Sequence, residues 1–332
     1  MRIRGDIRSM LQGAAKACYF ISNFFRYYLP TPLYKLYVRG RFAMLSQAHR
    51  NAARERARYY AALPLDAKVA SDDRAVCVDG FRYPFGKKKK FSMYFFDLYQ
   101  SMRLFPGHMR FNYIFGDIDW QCDTPTLVKA RPIPANGDTT LSVLCRLNRL
   151  RHFRFISDRR QWDEKKDMLV FRNIVKKQPH RTAFIASLID SPMCDVGQVN
   201  PDPDNPSFQK PYMPMEQMLG YKFIACIEGH DVATNLKWVM SSNSIAVMPR
   251  PRIESWFMEA TLIPGVHYIE ISPDYSDVEQ KLRHYIDHPD EARAIIDNAH
   301  RYVARFRNHT LEQYTQYLTL KRYFEITNAH GQ

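Results

Sequence analysis

Residues 222–271 read KFIACIEGHDVATNLKWVMSSNSIAVMPRPRIESWFMEATLIPGVHYIEI. The stretch runs apolar strand, glycine-containing turn, helix, apolar strand, acidic-aromatic helix, apolar strand. Buried Val/Ile-rich strands alternating with helices predict a parallel sheet covered on both faces, the α/β class. In such sheets ligands bind outside the carboxyl ends of the strands, often with phosphates at helix N-termini. The turn Glu228-Gly229-His230-Asp231 follows the expected strand 223–227 and is expected to open a helix. A nucleotide is expected there.

Outward from that core, the second half reads as strand 168–175, helix 181–188 and a turn-laden insertion at 201–214, with helices from 276 to 324. The first half is expected to be helical over 1–62, broken at Pro30 and Pro32. A short strand near 75–78, a charge run at 87–90, an aromatic helix at 91–104 and a strand at 109–115 follow. Residues 121–140 read as loop, with three prolines and the Asn136-Gly137 turn signal, and 153–157 read as a strand. The charged segment DRRQWDEKKD (158–167) is expected to link two domains. Four units result: 1–62, 63–160, 161–305 and 306–332, the last a helix packing back on the first domain.

Of the 332 residues, 45% are apolar and 14% aromatic, enough for a sizeable core and against global disorder. The net charge is +14, yet residues 1–58 alone hold twelve Arg/Lys against Asp6 and Glu55. Aromatics from Tyr19 to Phe42 interleave with this charge. That composition suits an anionic membrane surface, where each cation contributes roughly 1 kcal/mol. It also suits nucleic acid, or a basic helix packed on its own domain. No apolar run approaches the roughly 20 residues of a spanning helix. The six cysteines are scattered without a CxxC pair, as expected of reduced thiols in a cytoplasmic chain.

Three groups of residues carry candidate chemistry. In FGDIDW (115–120), Asp117 and Asp119 at that spacing either hold a divalent metal against a diphosphate, or one of them serves as general base, or both are loop carboxylates. In FRNIVKKQPHR (171–181), Arg172 ends a strand and Lys176, Lys177 and Arg181 follow, placed to neutralise a leaving diphosphate or simply solvated. Past Gly229, the residues His230, Asp231, Asn235 and Lys237 fall on the expected helix as caps or ligand contacts. Glu254, on the next expected helix, either holds ribose hydroxyls or lies on a solvated face.

Taken together, RHFRFISDRRQWDEKKDMLVFRN (151–173), EGHDVATNLKWVMSSNSIAV (228–247) and ESWFMEATLIPGVHYIEI (254–271) resemble the glycosyltransferase 90 family, especially its bacterial lipopolysaccharide branch. The similarity spans roughly residues 75–310. It implies a GT-B-like transferase with two Rossmann-like domains and an added basic helical N-terminal segment. It further implies an inverting, metal-independent reaction, with a UDP-sugar as donor substrate and no resident cofactor. Asp119 matches the family's base. Arg172, Asn173 and Arg181 match its donor-phosphate strand end, and Glu228, Gly229, His230, Asp231, Asn235, Lys237 and Glu254 fall in its donor motifs. Two positions depart: Asn173 replaces a glycine, and Asn235 replaces an arginine of animal members, a phosphate contact that Lys237 or Arg181 would supply instead. The expected partners are the UDP-sugar, a lipid-linked oligosaccharide acceptor and an anionic membrane surface met by the N-terminal segment, with no nucleic acid. Such an enzyme is expected on the cytoplasmic face of the inner membrane as a peripheral protein.

Overall fold

The computed structural model describes residues 2–69, 74–85, 91–135 and 138–328, with side chains from residue 13 onward. The lysine run 87–90 and the 136–137 turn lie outside the described residues. Three helices come first: α1 (Arg2–Tyr28), α2 (Thr31–Ala43) and α3 (Gln47–Tyr60). Pro32 sits in the first turn of α2, where its missing N–H is no loss. Ser46 caps α3 by accepting the His49 N–H.

The first half then adds β1 (Val76–Cys77), α4 (Ser92–Met102), β2 (Arg110–Tyr113), β3 (Thr126–Val128), β4 (Ala130–Pro132), β5 (Ser142–Leu144) and α5 (Arg149–His152). One sheet has the order β1-β2-β3-β5, parallel except at β1. The expected loop 121–140 therefore carries two strands. They are three residues each, too short to show alternation, and Pro125 and Pro132 flank or end them rather than interrupt them. Residues 153–157, expected as a strand, join no sheet; the Ile156 N–H donates to Ser241 Oγ instead.

The second half comprises β6 (Lys166–Asn173), α6 (Pro179–Leu188), β7 (Cys194–Gln198), α7 (Met215–Met218), β8 (Tyr221–Ala225), α8 (Leu236–Val239), β9 (Ile245–Met248), β10 (Ile253–Ser255), β11 (Ile269–Glu270), α9 (Val278–Asp287), α10 (Pro289–Ala304) and α11 (His309–Thr327). Its sheet is wholly parallel, ordered β11-β9-β8-β6-β7. Val170, Phe223, Ile224 and Val247 are buried in its middle, as the unbroken apolar runs require. The first strand of this sheet, β6, pairs with β7 on one side and β8 on the other. Chain direction along the sheet reverses between β6 and β8, which makes that gap the switch point where ligands of open α/β sheets bind.

Two expected helices are replaced. The chain past Gly229 is not helical until the four residues of α8. The Gly229 N–H spends itself on the Asp231 carbonyl in a tight turn, and the Asn235 amide donates to the Ala225 carbonyl, so local bonds displace the first helical turn. The acidic-aromatic segment is a strand, β10, followed by a single 3-10 turn at Glu259–Thr261. Here the edge of β4 supplies the main-chain partners: Pro132, Arg131 and Ala130 face Ile253, Glu254 and Ser255 in antiparallel register.

That pair joins the two halves of the chain. Arg131 and Glu254 lie directly opposite and form a fully buried ion pair at 2.9 Å. Tyr59 of α3 donates its hydroxyl to the other Glu254 oxygen. The C-terminal α11 returns to the first half, where Leu320, Tyr323 and Phe324 share a core with Phe111 and Leu127. It also meets α3, whose Arg56 grips Glu312 through both guanidinium nitrogens at 2.5 and 3.0 Å. Trp256 Nε1 donates to the same carboxylate, and its ring stacks on Tyr60 at 3.9 Å.

Candidate functional site

The carboxyl ends of β6 and β8 frame a cavity of about 190 Å³ lined by Arg172, Asn173, Ala225, Asn235, Tyr212 and Trp238, among others. It occupies the switch point. Arg172 is held from below: its Nη1 donates to the Phe171 and Asp195 carbonyls at 2.9 and 2.7 Å, and its Nη2 to Asp195 Oδ1 at 2.5 Å. Its buried Nε has no hydrogen-bond partner. Asp195 is pulled below the usual carboxylate range by Arg172, Tyr221 and Lys210, which outweigh its partial burial.

Beside this cavity, Arg181 of α6 organises the loop after β8. It donates to the Ile227 and Glu228 carbonyls at 2.8 and 2.7 Å and to the Ile174 carbonyl at 3.2 Å. All three acceptors are neutral, so its charge has no carboxylate within ion-pair distance among the described residues. Burial pulls its guanidinium down to about 10, with Asp231 opposing, and it stays charged at neutral pH. Gly229 is glycine for space. A Cβ there would sit 3.2 Å from Arg181 Nη2. Glu228 points away from the loop and accepts the Arg252 and Ile253 backbone N–H groups at 2.9 and 3.1 Å, anchoring the start of β10.

The FGDIDW loop comes to this place from the other sheet. Gly116, at φ 120°, turns the chain after β2 in a conformation open to glycine. Lys129, between β3 and β4 and almost wholly buried, then reaches across. Its Nζ hydrogen-bonds Asp117 Oδ1 at 2.5 Å and lies equally close to Asp231 Oδ2, outside hydrogen-bond geometry. Asp117 is held below the usual range by Lys129, Arg151 and His230, against its desolvation. Asp231 is pushed up to about 6, chiefly by burial and further by the Asp117 charge, with Lys129 opposing. Asp119 and Trp120 follow on the exposed rim. Asp119 has no hydrogen-bond or ion-pair partner among the described residues, and Trp120 is 52% exposed.

The structure thus brings together Asp119, Arg181, Gly229, His230 and Asp231 as neighbours of the Lys129 bridge or its loops, with Arg172, Asn173 and Asn235 at the adjoining cavity. It keeps two others apart. Lys237 is fully buried, paired with Glu259 at 2.5 Å and placed over the Phe257 ring. Glu254 is fully buried between Arg131 and Tyr59. Neither lines the switch-point cavity. Lys129 and Trp120 were not legible as site residues: Lys129 sits in the stretch read as loop, and Trp120 had only its place beside Asp119 to signal it. No group of three or more His, Cys, Asp or Glu side chains among the described residues is arranged to hold a metal.

Comparison with known proteins bears on what this arrangement does. Residues 147–330 match the family described as Glycosyl transferase family 90. The O-glucosyltransferase LpsA of Dichelobacter nodosus is 36% identical over 286 residues, covering 86% of this chain and 87% of that protein. The uncharacterized protein 027R of Frog virus 3 (isolate Goorha) is 34% identical over 95 residues, 27% of this chain and 10% of that protein.

Proposed function

The chain belongs to glycosyl transferase family 90, and from that premise we propose that it moves a hexosyl residue, or a pentosyl one, from a UDP-sugar to a hydroxyl of a cell-envelope glycan. The acceptor in this reading is a lipid-linked lipopolysaccharide core oligosaccharide. The observation that carries it is the meeting of the two loops, 115–120 from one sheet and 228–231 from the other, across Lys129. A transferase needs its base and its leaving-group stabilisers on opposite sides of one anomeric carbon, and that meeting supports such an arrangement.

In the proposed reaction, Asp119 accepts the proton of the acceptor hydroxyl while that oxygen attacks the anomeric carbon. The bond from that carbon to the β-phosphate oxygen breaks on the opposite face, inverting the centre, and UDP departs with the electron pair. Arg181, which has no carboxylate within ion-pair distance among the described residues, and Arg172 with its unpartnered Nε are the cations assigned to the diphosphate. The nucleotide takes the switch-point cavity beside Asn173 and Asn235, with Gly229, His230 and Asp231 along its edge. Trp120 offers an indole face to a sugar ring. Lys237 and Glu254 are left out, since both are buried in structural pairs. The metal-free reading draws support from Lys129, whose ammonium already neutralises Asp117, the residue an Asp-x-Asp metal site would need.

Among the described residues no helix is long and apolar enough to cross a membrane. Ile21, Phe24 and Phe25 of α1 and Leu33, Leu36 and Tyr37 of α2 are nonetheless exposed, on basic helices. We assign this face to the anionic inner leaflet, where a lipid-linked acceptor is built and nucleotide sugars are at hand, and not to nucleic acid.

Thermal-shift titration with UDP, with and without chelator, followed by a panel of UDP-sugars, tests the reading. Stabilisation by UDP that chelator leaves unchanged is expected, and the strongest UDP-sugar nominates the donor. Absence of any UDP response would sink the donor assignment, and a response abolished by chelator would sink the metal-free one.

A further inference from the structure

A second and larger cavity, of about 960 Å³, lies between α1, α2, α4, α5 and α11. Among the described residues, seven arginine and lysine side chains line it against two carboxylates, Asp97 and Glu312. Both carboxylates are already engaged. Asp97 accepts the Tyr19 hydroxyl at 2.7 Å and the Arg149 backbone N–H at 2.9 Å, and pairs with Arg149 Nε at 3.0 Å. Glu312 is held by Arg56 and Trp256, neither of which lines the cavity. The space is left with an excess of positive charge.

Arg146 makes the excess specific. It is 7% exposed, its Nε has no hydrogen-bond partner, and its closest carboxylate oxygen, on Glu312, is 3.9 Å away. Burial pushes its guanidinium below the usual arginine value, with Glu312 and Asp97 opposing and the Arg149 and Arg56 charges adding to it. A cation this buried is costly unless an anion joins it. Aromatic rings supply part of the wall. Phe153 lies under Arg146 at 5.0 Å and Tyr19 under Arg149 at 5.3 Å, surfaces of the kind that take the apolar face of a sugar. Arg151, which lines the cavity, also acts electrostatically on Asp117 of the other loop.

We propose that this cavity is the acceptor subsite for an anionic sugar, a unit bearing a phosphate or carboxylate that ion-pairs with Arg146 while a hydroxyl elsewhere on the glycan reaches Asp119. The inference rests on the transferase reading and adds the class of acceptor to it. A bilayer phospholipid carries the same phosphate chemistry, so the experiment separates the two sources.

Ligand-observed NMR and calorimetry of the full chain with glucose 6-phosphate, galacturonate and neutral glucose form the test, each with UDP titrated in parallel. Both anions are expected to bind at least tenfold more tightly than glucose and to weaken as salt rises. Arg146→Met is expected to lose tenfold or more for the anions with UDP binding unchanged. Should that variant unfold, the double variant Lys16→Gln/Arg26→Gln on the exposed rim is expected to weaken anion binding several-fold. Equal binding of glucose and glucose 6-phosphate would overturn the proposal, as would anion binding that none of these variants weakens. In the second arm, vesicles of phosphatidylcholine and phosphatidylglycerol at 3:1 are expected to bind Arg146→Met as they bind the parent. Vesicle binding lost in Arg146→Met while glucose 6-phosphate binding persists would give the site to the lipid headgroup and overturn the acceptor assignment. Failure of the parent chain to bind UDP tells against the donor reading alone, whatever the anions do.

Discussion

Among the described residues Asp119 has no hydrogen-bond or ion-pair partner, as the proposed base role requires. Asp119→Asn is expected to lower kcat about 10²–10⁴-fold, the usual worth of general-base action, with UDP affinity unchanged; turnover and calorimetry on the same preparation check both halves. Asp231 behaves differently. Its carboxyl titrates from 3.8 in the unfolded chain to about 6 when folded, so the folded chain holds the proton more tightly between those values. The contribution of Asp231 to stability therefore falls as pH rises through that window and levels above it. Asp231→Asn is expected to flatten this slope, read as Tm against pH from 4 to 7. The meeting of two loops at one place was foreshadowed in the sequence where a motif surrounds the residue, as in FGDIDW and EGHD. Residue roles were illegible where burial decides, since nothing in the order of residues shows that Lys237 meets Glu259 or that Glu254 meets Arg131. Lys129 was invisible for the converse reason: its two partners lie 12 and 102 residues away, and only folding brings them to one ammonium.

The long buried strands were the readable elements. β6 and β8 announce themselves as apolar runs, and α10 shows its apolar spacing, because each is long enough for a period to emerge. β3, β4 and β10 are three residues each and take their conformation from a partner strand, so tertiary pairing overrides what their own residues suggest. The helices α1 and α2 present the element-scale prediction. Phe25 and Leu36 are each 70% exposed, so the double variant Phe25→Glu/Leu36→Glu removes apolar contact without opening the core and adds two negative charges. Partitioning onto vesicles rich in phosphatidylglycerol is expected to drop at least tenfold, at roughly 1 kcal/mol per charge near the surface, with Tm unchanged. Undiminished partitioning would remove the membrane assignment from this face.

At the scale of the molecule, the halves are held by two contacts that sequence reading placed in other roles or passed over, the β4–β10 pair and the Arg131–Glu254 bridge inside it, together with the C-terminal helix α11, which meets α3 and α4. Arg131→Met strands a buried carboxylate and is expected to cost about 3–5 kcal/mol in urea unfolding. Adding Glu254→Gln is expected to recover part of that loss, because the stranded charge is removed with it. A larger loss in the double variant than in the single would show that Tyr59 and Glu254, rather than the ion pair, hold the join.

The β4–β10 pair has a mechanical consequence. A ladder with one strand from each half can stay intact through a swing of the halves about it, but not through their sliding apart. Any relative motion of the halves that leaves this ladder intact must turn about it, as about an axle. Lys129 is the residue just before β4 and sits close to that axle, where displacement is least, while parts of the two halves farther from it sweep a wider arc. The charge bridge between the two loops would keep its geometry as the enzyme breathes, leaving the broader excursions to the outlying surfaces that admit and release large substrates.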